Sequence, residues 1–252
     1  MAGNWKMNIN HLEAIAYVNK TAYMLTEKDY DRTDVTIFPP FTDLRSVQTI
    51  VDADHLQITY GAQEISAFDS GAYTGEISGA MLNKLRVKYA LIGHSERRAY
   101  HHETDENVNA KVKAAIKHDL IPMIAIGETL EVRQAGNAVE HTLSQLVGAL
   151  KDIRSNYVGN AVIAYEPVWA IGTGEVATPQ DAQDMSIKIR EKIASLYSKE
   201  VADKIRILYG GSVKAGNVKA IMEQPDVDGA LIGGAALDPD EFVRIIRWPD
   251  QP

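Results

Sequence analysis

A single carboxylate in an unusual setting is the first candidate for chemistry in this chain. Glu166 directly follows the apolar run Ala161–Tyr165, which is typical of a buried strand. Pro167 disfavours helical backbone at Glu166, and the next segment, Val168–Ile171, is apolar although loops usually face water. The glycines of Gly172-Thr173-Gly174 would give this loop backbone freedom. The pattern indicates a carboxylate beside a hinge and a closing lid, or, equally well on this stretch alone, an ordinary turn after a solvated glutamate.

Other residues suited to proton transfer or anion binding follow short apolar runs elsewhere. They are Asn4 and Lys6 in NWKMN, His94 and Glu96 in GHSERR, Tyr209 and Ser212 in YGGS, and the pair Gly233 and Gly234. A lysine with glycine-rich turns suits phosphate, because backbone N–H groups and a positive charge converge on the anion. Taken singly, Lys6 is more often a surface charge and His94 a structural histidine, so each residue alone leaves that alternative open.

The elements that would position these residues alternate between apolar runs and helical periods. The runs predict eight strands: Ala2–Met7, Val35–Phe38, Ile58–Ala62, Tyr89–Ile92, Ile121–Ile126, Ala161–Tyr165, Ile205–Tyr209 and Gly229–Ile232. Helical periodicity covers His11–Leu25, Thr104–His118 and Gln180–Leu196, the last after a Thr178-Pro179 start signal. Eight strand–helix units in about 250 residues predict a single-domain (β/α)8 barrel, with a doubly wound open sheet as the alternative. In a barrel, the candidate residues would share the face formed by the carboxyl ends of the strands.

Composition excludes several classes of protein and site. The 252 residues are 45% hydrophobic and 24% charged, and no linker divides them, so residues 1–252 are expected to form one catalytic domain. The absence of cysteine excludes disulfides and thiolate metal sites and favours a cytoplasmic location. No apolar run approaches the roughly 20 residues of a membrane span, and no secretory signal is present. The net charge of −8 argues against nucleic acid and anionic membranes as partners.

Five motifs taken together resemble one enzyme family. They are NWKMN at 4–8, GAYTGEIS at 71–78, GHSERR at 93–98, AYEPVWAIGTG at 164–174 and YGGSV at 209–213. In this order, across essentially the whole chain, they resemble the triosephosphate isomerase family. The resemblance implies interconversion of dihydroxyacetone phosphate and D-glyceraldehyde 3-phosphate by proton transfer through an enediolate, in glycolysis and gluconeogenesis. It implies no metal and no organic cofactor.

The resemblance also implies roles for individual residues. Glu166 would be the base and His94 the electrophile at the carbonyl oxygen, an arrangement already known for this family, from which the assignment is taken. Lys6, with Asn4 nearby, would supply positive charge to the phosphate and the developing oxyanion, and Glu96 would position Lys6. The remaining implied contacts are backbone groups of Gly172, Ser212, Gly233 and Gly234 at the phosphate, with Tyr209 in a supporting role.

The segment Gly71–Ser78 is too long for a tight turn. It resembles the loop through which this family forms homodimers, by insertion into a pocket of the partner subunit beside the active site. Thr74 would then approach Asn4 and Glu96 across the interface. The alternative is a flexible surface loop.

Two further sequence patterns could suggest a metal site or a dinucleotide site. His101-His102-Glu103 is expected to be solvated rather than a metal site, and Gly172-x-Gly174-x-x-Ala177 lies too far past its strand to be a dinucleotide fingerprint.

Two other functions are possible on the same fold. An aldolase on the same barrel would use Lys6 as a Schiff-base nucleophile. A non-catalytic binding protein that keeps the family's shape is the other alternative.

Overall fold

Eight parallel strands close into a barrel in the computed structural model of the chain, which describes residues 1–171 and 177–251. The strands are β1 (Ala2–Asn4), β2 (Thr36–Phe38), β3 (Thr59–Ala62), β4 (Tyr89–Ile92), β5 (Ile121–Ile126), β6 (Val162–Tyr165), β7 (Arg206–Tyr209) and β8 (Gly229–Ile232). Neighbours in sequence pair with each other, and β1 also pairs with β8, where Gly3 lies opposite Ile232. This closure confirms the predicted barrel and excludes the open doubly wound sheet, because an open sheet leaves its edge strands unpaired.

The predicted bounds are wrong for the first strand. We expect a strand to Met7 from the sequence, but β1 ends at Asn4. The cause is Lys6, whose φ of 54° lies in the left-handed region and cannot continue a strand. The other seven strands are confirmed with bounds that differ by no more than one residue at either end.

Helices surround the barrel. In the described part of the chain they are α1 (His11–Met24), α2 (Glu27–Arg32), α3 (Leu44–Ala53), α4 (Gly79–Lys84), α5 (Ser95–Tyr100), α6 (Asp105–Lys117), α7 (Leu130–Gln134), α8 (Ala138–Leu150), α9 (Ser155–Val158), α10 (Pro179–Leu196), α11 (Lys199–Lys204), α12 (Val218–Met222) and α13 (Pro239–Ile246). The predicted start of α10 is confirmed, because Thr178 Oγ1 accepts the N–H of Asp181 at 3.1 Å and Pro179 occupies the first turn. Within residues 1–171 and 177–251, no helix is both long and apolar enough to cross a membrane.

Two apolar layers explain why the strands are apolar along their whole length. One layer fills the barrel and consists of Ala2, Phe38, Tyr89, Leu91, Met123, Ala125, Val162, Ala164, Leu208 and Leu231. The alternate residues of the same strands, such as Ala90 and Ile92 in β4, belong to a larger cluster shared with the helices. In β3, an ideal Cβ on Gly61 would lie 2.2 Å from the Phe38 ring, so glycine makes room for that ring.

Candidate active site

A cavity of about 510 Å³ opens at the carboxyl ends of the strands, the face where a barrel places its functional residues. Seven residues predicted from the sequence as site residues line it: Asn4, Lys6, His94, Glu166, Ser212, Gly233 and Gly234. Gly172, the remaining nominated phosphate contact, lies outside the described residues. A cavity of about 550 Å³ at the opposite ends of the strands, beside Met1 and Arg206, is lined by none of these residues.

Glu166 is buried at the end of β6, with 3% of its surface exposed, so the alternative of a solvated glutamate is excluded. Its Oε1 lies 3.0 Å from His94 Nε2 and accepts the Ser95 hydroxyl at 3.2 Å, while Oε2 accepts the Ser95 N–H at 2.9 Å. Burial raises the pKa of Glu166, but the charge of His94 and the hydrogen bonds from His94 and Ser95 outweigh it and leave the pKa lowered. The group is therefore a carboxylate that is able to accept a proton.

His94 lies immediately before α5, and both of its ring nitrogens are engaged. Nδ1 accepts the backbone N–H of Glu96 at 3.2 Å, which leaves the proton of a neutral ring on Nε2, facing Glu166. Burial lowers the pKa of His94 and the Glu166 carboxylate raises it, so that the pKa is raised overall while the two groups touch. Without Glu166 at Nε2, burial favours the neutral ring, which can donate its Nε2–H to a carbonyl oxygen.

Lys6 reaches the cavity from the turn after β1. Its Nζ lies 2.6 Å from Glu96 Oε1, in an ion pair that is partly exposed. Its φ of 54° is a conformation that costs a non-glycine residue roughly 1–2 kcal/mol, and its backbone N–H donates to Asn4 Oδ1 at 3.0 Å. An ideal Cβ on Gly233 would lie 4.0 Å from Lys6 Nζ. The ammonium group is therefore placed between a carboxylate and the turn after β8.

Two turns offer backbone N–H groups to the cavity. Within the described part of the chain, the N–H groups of Gly211 and Ser212 after β7 have no backbone acceptor, and Gly234 and Ala235 begin the 3₁₀ helix Gly234–Leu237 after β8, where the first N–H groups have no partner inside the helix. An anion in the cavity would satisfy them. At Gly211, an ideal Cβ would lie 2.2 Å from the Tyr209 hydroxyl oxygen, so the buried Tyr209 packs directly against this turn and requires glycine there.

Two polar side chains that contact the site were not predicted from the sequence. Ser95 makes two hydrogen bonds to Glu166, and its position between His94 and Glu96 in GHSERR was the available signal. Gln63 directly follows β3, and its Nε2 donates to the backbone carbonyl of Lys6 at 2.8 Å. The available signal was again a polar residue at a strand end. Candidate site residues were predicted only at the ends of strands 1, 4, 6, 7 and 8, so the end of strand 3 was overlooked.

The start of the loop after β6 is packed against α7. Val168–Ala170 form a 3₁₀ turn in which Trp169 is buried. The Trp169 backbone N–H donates to the Glu128 carbonyl at 3.3 Å, and the Arg133 guanidinium carbon lies 4.1 Å from the centre of the Trp169 ring system. This packing accounts for the apolar character of the segment, while the glycines of residues 172–174, expected to give the loop backbone freedom, lie outside the described residues.

The segment Gly71–Ser78 does not line the cavity of its own chain as far as the described residues define it. Thr74 at its tip is exposed. The rings of Phe68 and Tyr73 stack with centroids 4.0 Å apart, and their exposed fractions are 51% and 43%. The segment therefore presents a stacked aromatic pair to its surroundings.

The expectation that His101-His102-Glu103 is solvated is wrong for Glu103. Both histidines are exposed, but Glu103 is buried and forms ion pairs of 2.5 Å with Arg97 and Lys111. Lys111 belongs to α6, so the burial results from a contact that the local sequence does not reveal. In residues 1–171 and 177–251, no group of three or more histidine, cysteine, aspartate or glutamate side chains could hold a metal ion.

Comparisons with known proteins converge on one description. A family model described as triosephosphate isomerase matches residues 1–248. The triosephosphate isomerases of Streptomyces avermitilis and Streptomyces coelicolor are 64% and 65% identical over 251 residues, which cover 100% of this chain and 97% of each relative. A relative of the same name from Mycobacterium avium is 58% identical over 245 residues, covering 97% of this chain and 94% of the relative.

Proposed function

The chain belongs to the triosephosphate isomerase family, and on this premise we propose that Glu166, His94 and Lys6 carry the family's reaction in the described cavity. The enzyme interconverts dihydroxyacetone phosphate and D-glyceraldehyde 3-phosphate, a step of glycolysis. The chemistry requires a base, a group that polarises the carbonyl, and positive charge for the phosphate. The observation that carries the proposal is the 3.0 Å contact between the buried Glu166 carboxylate and His94 Nε2 in the wall of one cavity.

Glu166 is proposed to move the proton between the two reacting carbons. It would take a proton from one carbon to form the enediolate and return it to the neighbouring carbon. To reach the substrate, the carboxylate must exchange its bonds to His94 and Ser95 for contact with carbon. That exchange removes the hydrogen bonds from His94 and Ser95 that lower its pKa, while burial, the largest cause, continues to raise it, so the carboxylate becomes more basic as it meets the substrate.

His94 is proposed to polarise the carbonyl oxygen. Its Nε2 proton, which now faces Glu166, becomes available for a substrate oxygen once the carboxylate moves. The Glu96 N–H at Nδ1 keeps this proton on Nε2. A neutral imidazole that donates to the developing oxyanion stabilises the enediolate without adding a second proton to the ring.

The phosphate is proposed to lie between Lys6 and the two turns with free N–H groups. Ser212, Gly233 and Gly234 would contact it, and Gly172 is proposed as a further contact from the sequence alone. Asn4 and Glu96 would hold the backbone and the ammonium group of Lys6, and Tyr209 would support the turn after β7. Because the net charge of the chain is −8, such local positive groups are required to attract a phosphate dianion.

We propose a homodimer assembled through Gly71–Ser78, with Thr74 approaching the turn after β1 across the interface. The exposed stack of Phe68 and Tyr73 supports this, because such aromatic surface is typical of interfaces. All of residues 1–252 would act as one catalytic domain in the cytoplasm. The reaction would require neither a metal nor an organic cofactor.

A coupled assay in both directions tests the function directly. We expect turnover of both triose phosphates, unchanged after dialysis against a chelator, and a protein that binds the substrates without turnover would be a binding protein instead. The Schiff-base aldolase is disfavoured because Lys6 Nζ is engaged in an ion pair with Glu96 Oε1 at 2.6 Å rather than free to attack a carbonyl carbon. Borohydride with substrate should therefore leave Lys6 unlabelled, whereas labelling would support the aldolase.

A further inference from the structure

The backbone of Lys6 adopts a conformation that its own side chain disfavours. Its φ is 54°, in the left-handed region where the Cβ of an L-residue crowds the backbone. Such a conformation persists only where surrounding contacts impose it. The contacts that hold the two backbone polar atoms of Lys6 therefore decide where its ammonium group lies.

Two side chains make these contacts. Asn4 Oδ1 accepts the Lys6 N–H at 3.0 Å, and Gln63 Nε2 donates to the Lys6 carbonyl oxygen at 2.8 Å. Gln63 Nε2 also donates to the carbonyl oxygen of Phe38, the last residue of β2, again at 2.8 Å. Both N–H bonds of the Gln63 amide are thus used, and they join the turn after β1 to the end of β2.

The Phe38 carbonyl also accepts the Trp5 N–H at 3.1 Å, so the residue preceding Lys6 is held by the same strand end. Gln63 is partly buried and is not among the described residues that line the cavity. It can therefore affect the reaction only through the residues it holds, and Lys6 is the one among them that lines the cavity.

We propose that Gln63 is a positioning residue for the reaction, which holds the Lys6 carbonyl so that the left-handed backbone aims the ammonium group at the phosphate. This inference rests on the proposed role of Lys6. With the carbonyl released, the backbone at Lys6 relaxes towards an extended conformation. Nζ then leaves the place between Glu96 and the turn after β8 where it now lies.

The variant Gln63→Met keeps the length of the side chain and removes both N–H donors. A misplacement of about 1 Å in a catalytic group can cost about 10²-fold in rate. We therefore expect kcat/KM to fall between about tenfold and 10²-fold, with a parallel loss of affinity for inorganic phosphate in calorimetry. Gln57→Met, the same change at an exposed position between α3 and β3, should keep the parent kcat/KM.

A double-mutant cycle with Lys6→Met separates positioning from a general structural role. If Gln63 acts through Lys6, Gln63→Met lowers kcat/KM and phosphate affinity in the parent but changes each by less than about twofold in the Lys6→Met background. A merely structural role would give the same loss in both backgrounds, and that result would overturn the inference. No loss in the parent background would overturn it as well.

The cycle also distinguishes failure of this inference from failure of the proposed function. If Lys6→Met itself retains the parent kcat/KM, the proposed role of Lys6 is wrong and the inference is wrong with it. If Lys6→Met is strongly impaired but the two effects are additive, only the role of Gln63 is wrong. Should Gln63→Met not give the circular dichroism of the parent, Gln63→Glu, which has the same shape and lacks the amide donors, takes its place.

Discussion

Lys6 and Glu96 form an ion pair in which Nζ and Oε1 are 2.6 Å apart, and this pair connects the turn after β1 to α5. The backbone N–H of the same Glu96 donates to His94 Nδ1 at 3.2 Å. One residue of α5 thus contacts both the proposed phosphate-binding cation and the proposed electrophile. A displacement of α5 would therefore change the charge arrangement and the imidazole tautomer together.

Glutamine at position 166 tests the proposed base. Glu166→Gln keeps the shape and hydrogen-bonding capacity of the side chain but removes its basicity, so kcat should fall about 10²–10⁴-fold while KM changes little. Steady-state kinetics in the coupled assay measure both constants. Glu223→Gln, the same substitution at an exposed position after α12, is the control and should keep the parent kcat. A Glu166→Gln enzyme within tenfold of the parent would rule out this assignment.

Methionine at position 6 tests the phosphate-binding cation. Lys6→Met removes the charge beside the glycine turns, so affinity for inorganic phosphate and sulfate should fall, and fall more at low salt than at high salt. Calorimetry at two ionic strengths gives the affinities. Lys199→Met is the matched control, because the Lys199 side chain is 83% exposed and does not line the described cavity. Equal anion affinity in Lys6→Met and the parent would place the anion elsewhere.

Removal of the segment 71–78 tests the proposed dimer. With a short Gly-Ser turn in its place, the protein should sediment as a monomer of low activity, because the replacement removes Tyr73 and leaves Phe68 without its stacking partner. Sedimentation velocity and the coupled assay follow the two effects. A Gly-Ser replacement at the exposed Ala135-Gly136 should leave the sedimentation unchanged. A shortened protein that still sediments as a dimer would show that the interface lies elsewhere.

The raised pKa of Glu64 predicts that the free energy of unfolding depends on pH. Burial raises its pKa from 4.5 to about 7, and it lies in a cluster with Glu103, Lys111 and Arg97. Between about pH 4.5 and pH 7 the unfolded chain has ionised Glu64 while the folded chain retains the proton. The folded state binds more protons, so the contribution of this group to the free energy of unfolding falls as pH rises through that window.

Glu64→Gln should remove this contribution. The free energy of unfolding of the variant, relative to the parent, should therefore increase from pH 5 to pH 8. Urea titrations at both pH values and a fixed protein concentration measure the difference. Glu140→Gln, at an exposed position of α8, should show the pH dependence of the parent. A Glu64→Gln protein with the parent's pH dependence would show that Glu64 ionises normally in the folded state.

The barrel was predictable because its signals are local. Each buried strand is an apolar run of a few residues, and Thr178 with Pro179 marks a helix start by local chemistry alone. The end of β1 was not predictable in this way. The left-handed backbone at Lys6 is supported by a hydrogen bond from Gln63, which follows a different strand. The sequence around Lys6 contains no pattern that predicts this hydrogen bond.

The same distinction applies to the candidate site. His94 and Glu166 were nominated by their motifs and their positions after strands, and they line one cavity. The burial of Glu103 depends on Arg97 and on Lys111 in α6, and so it follows from tertiary packing rather than from the two neighbouring histidines. Side-chain pairings of this kind require the three-dimensional arrangement of the helices.

Pairing of β1 with β8 has a consequence for the order of events in folding. Lys6 comes near the start of the chain and Gly233 near its end, yet the two border each other in the closed barrel. Lys6, His94 and Glu166 are synthesised before β8, so the nascent chain contains the proposed reactive groups before the proposed anion site is complete. Because non-local contacts form late, recovery of turnover during refolding should lag behind recovery of helical circular dichroism, and enzymatic activity then times the docking of the last strand.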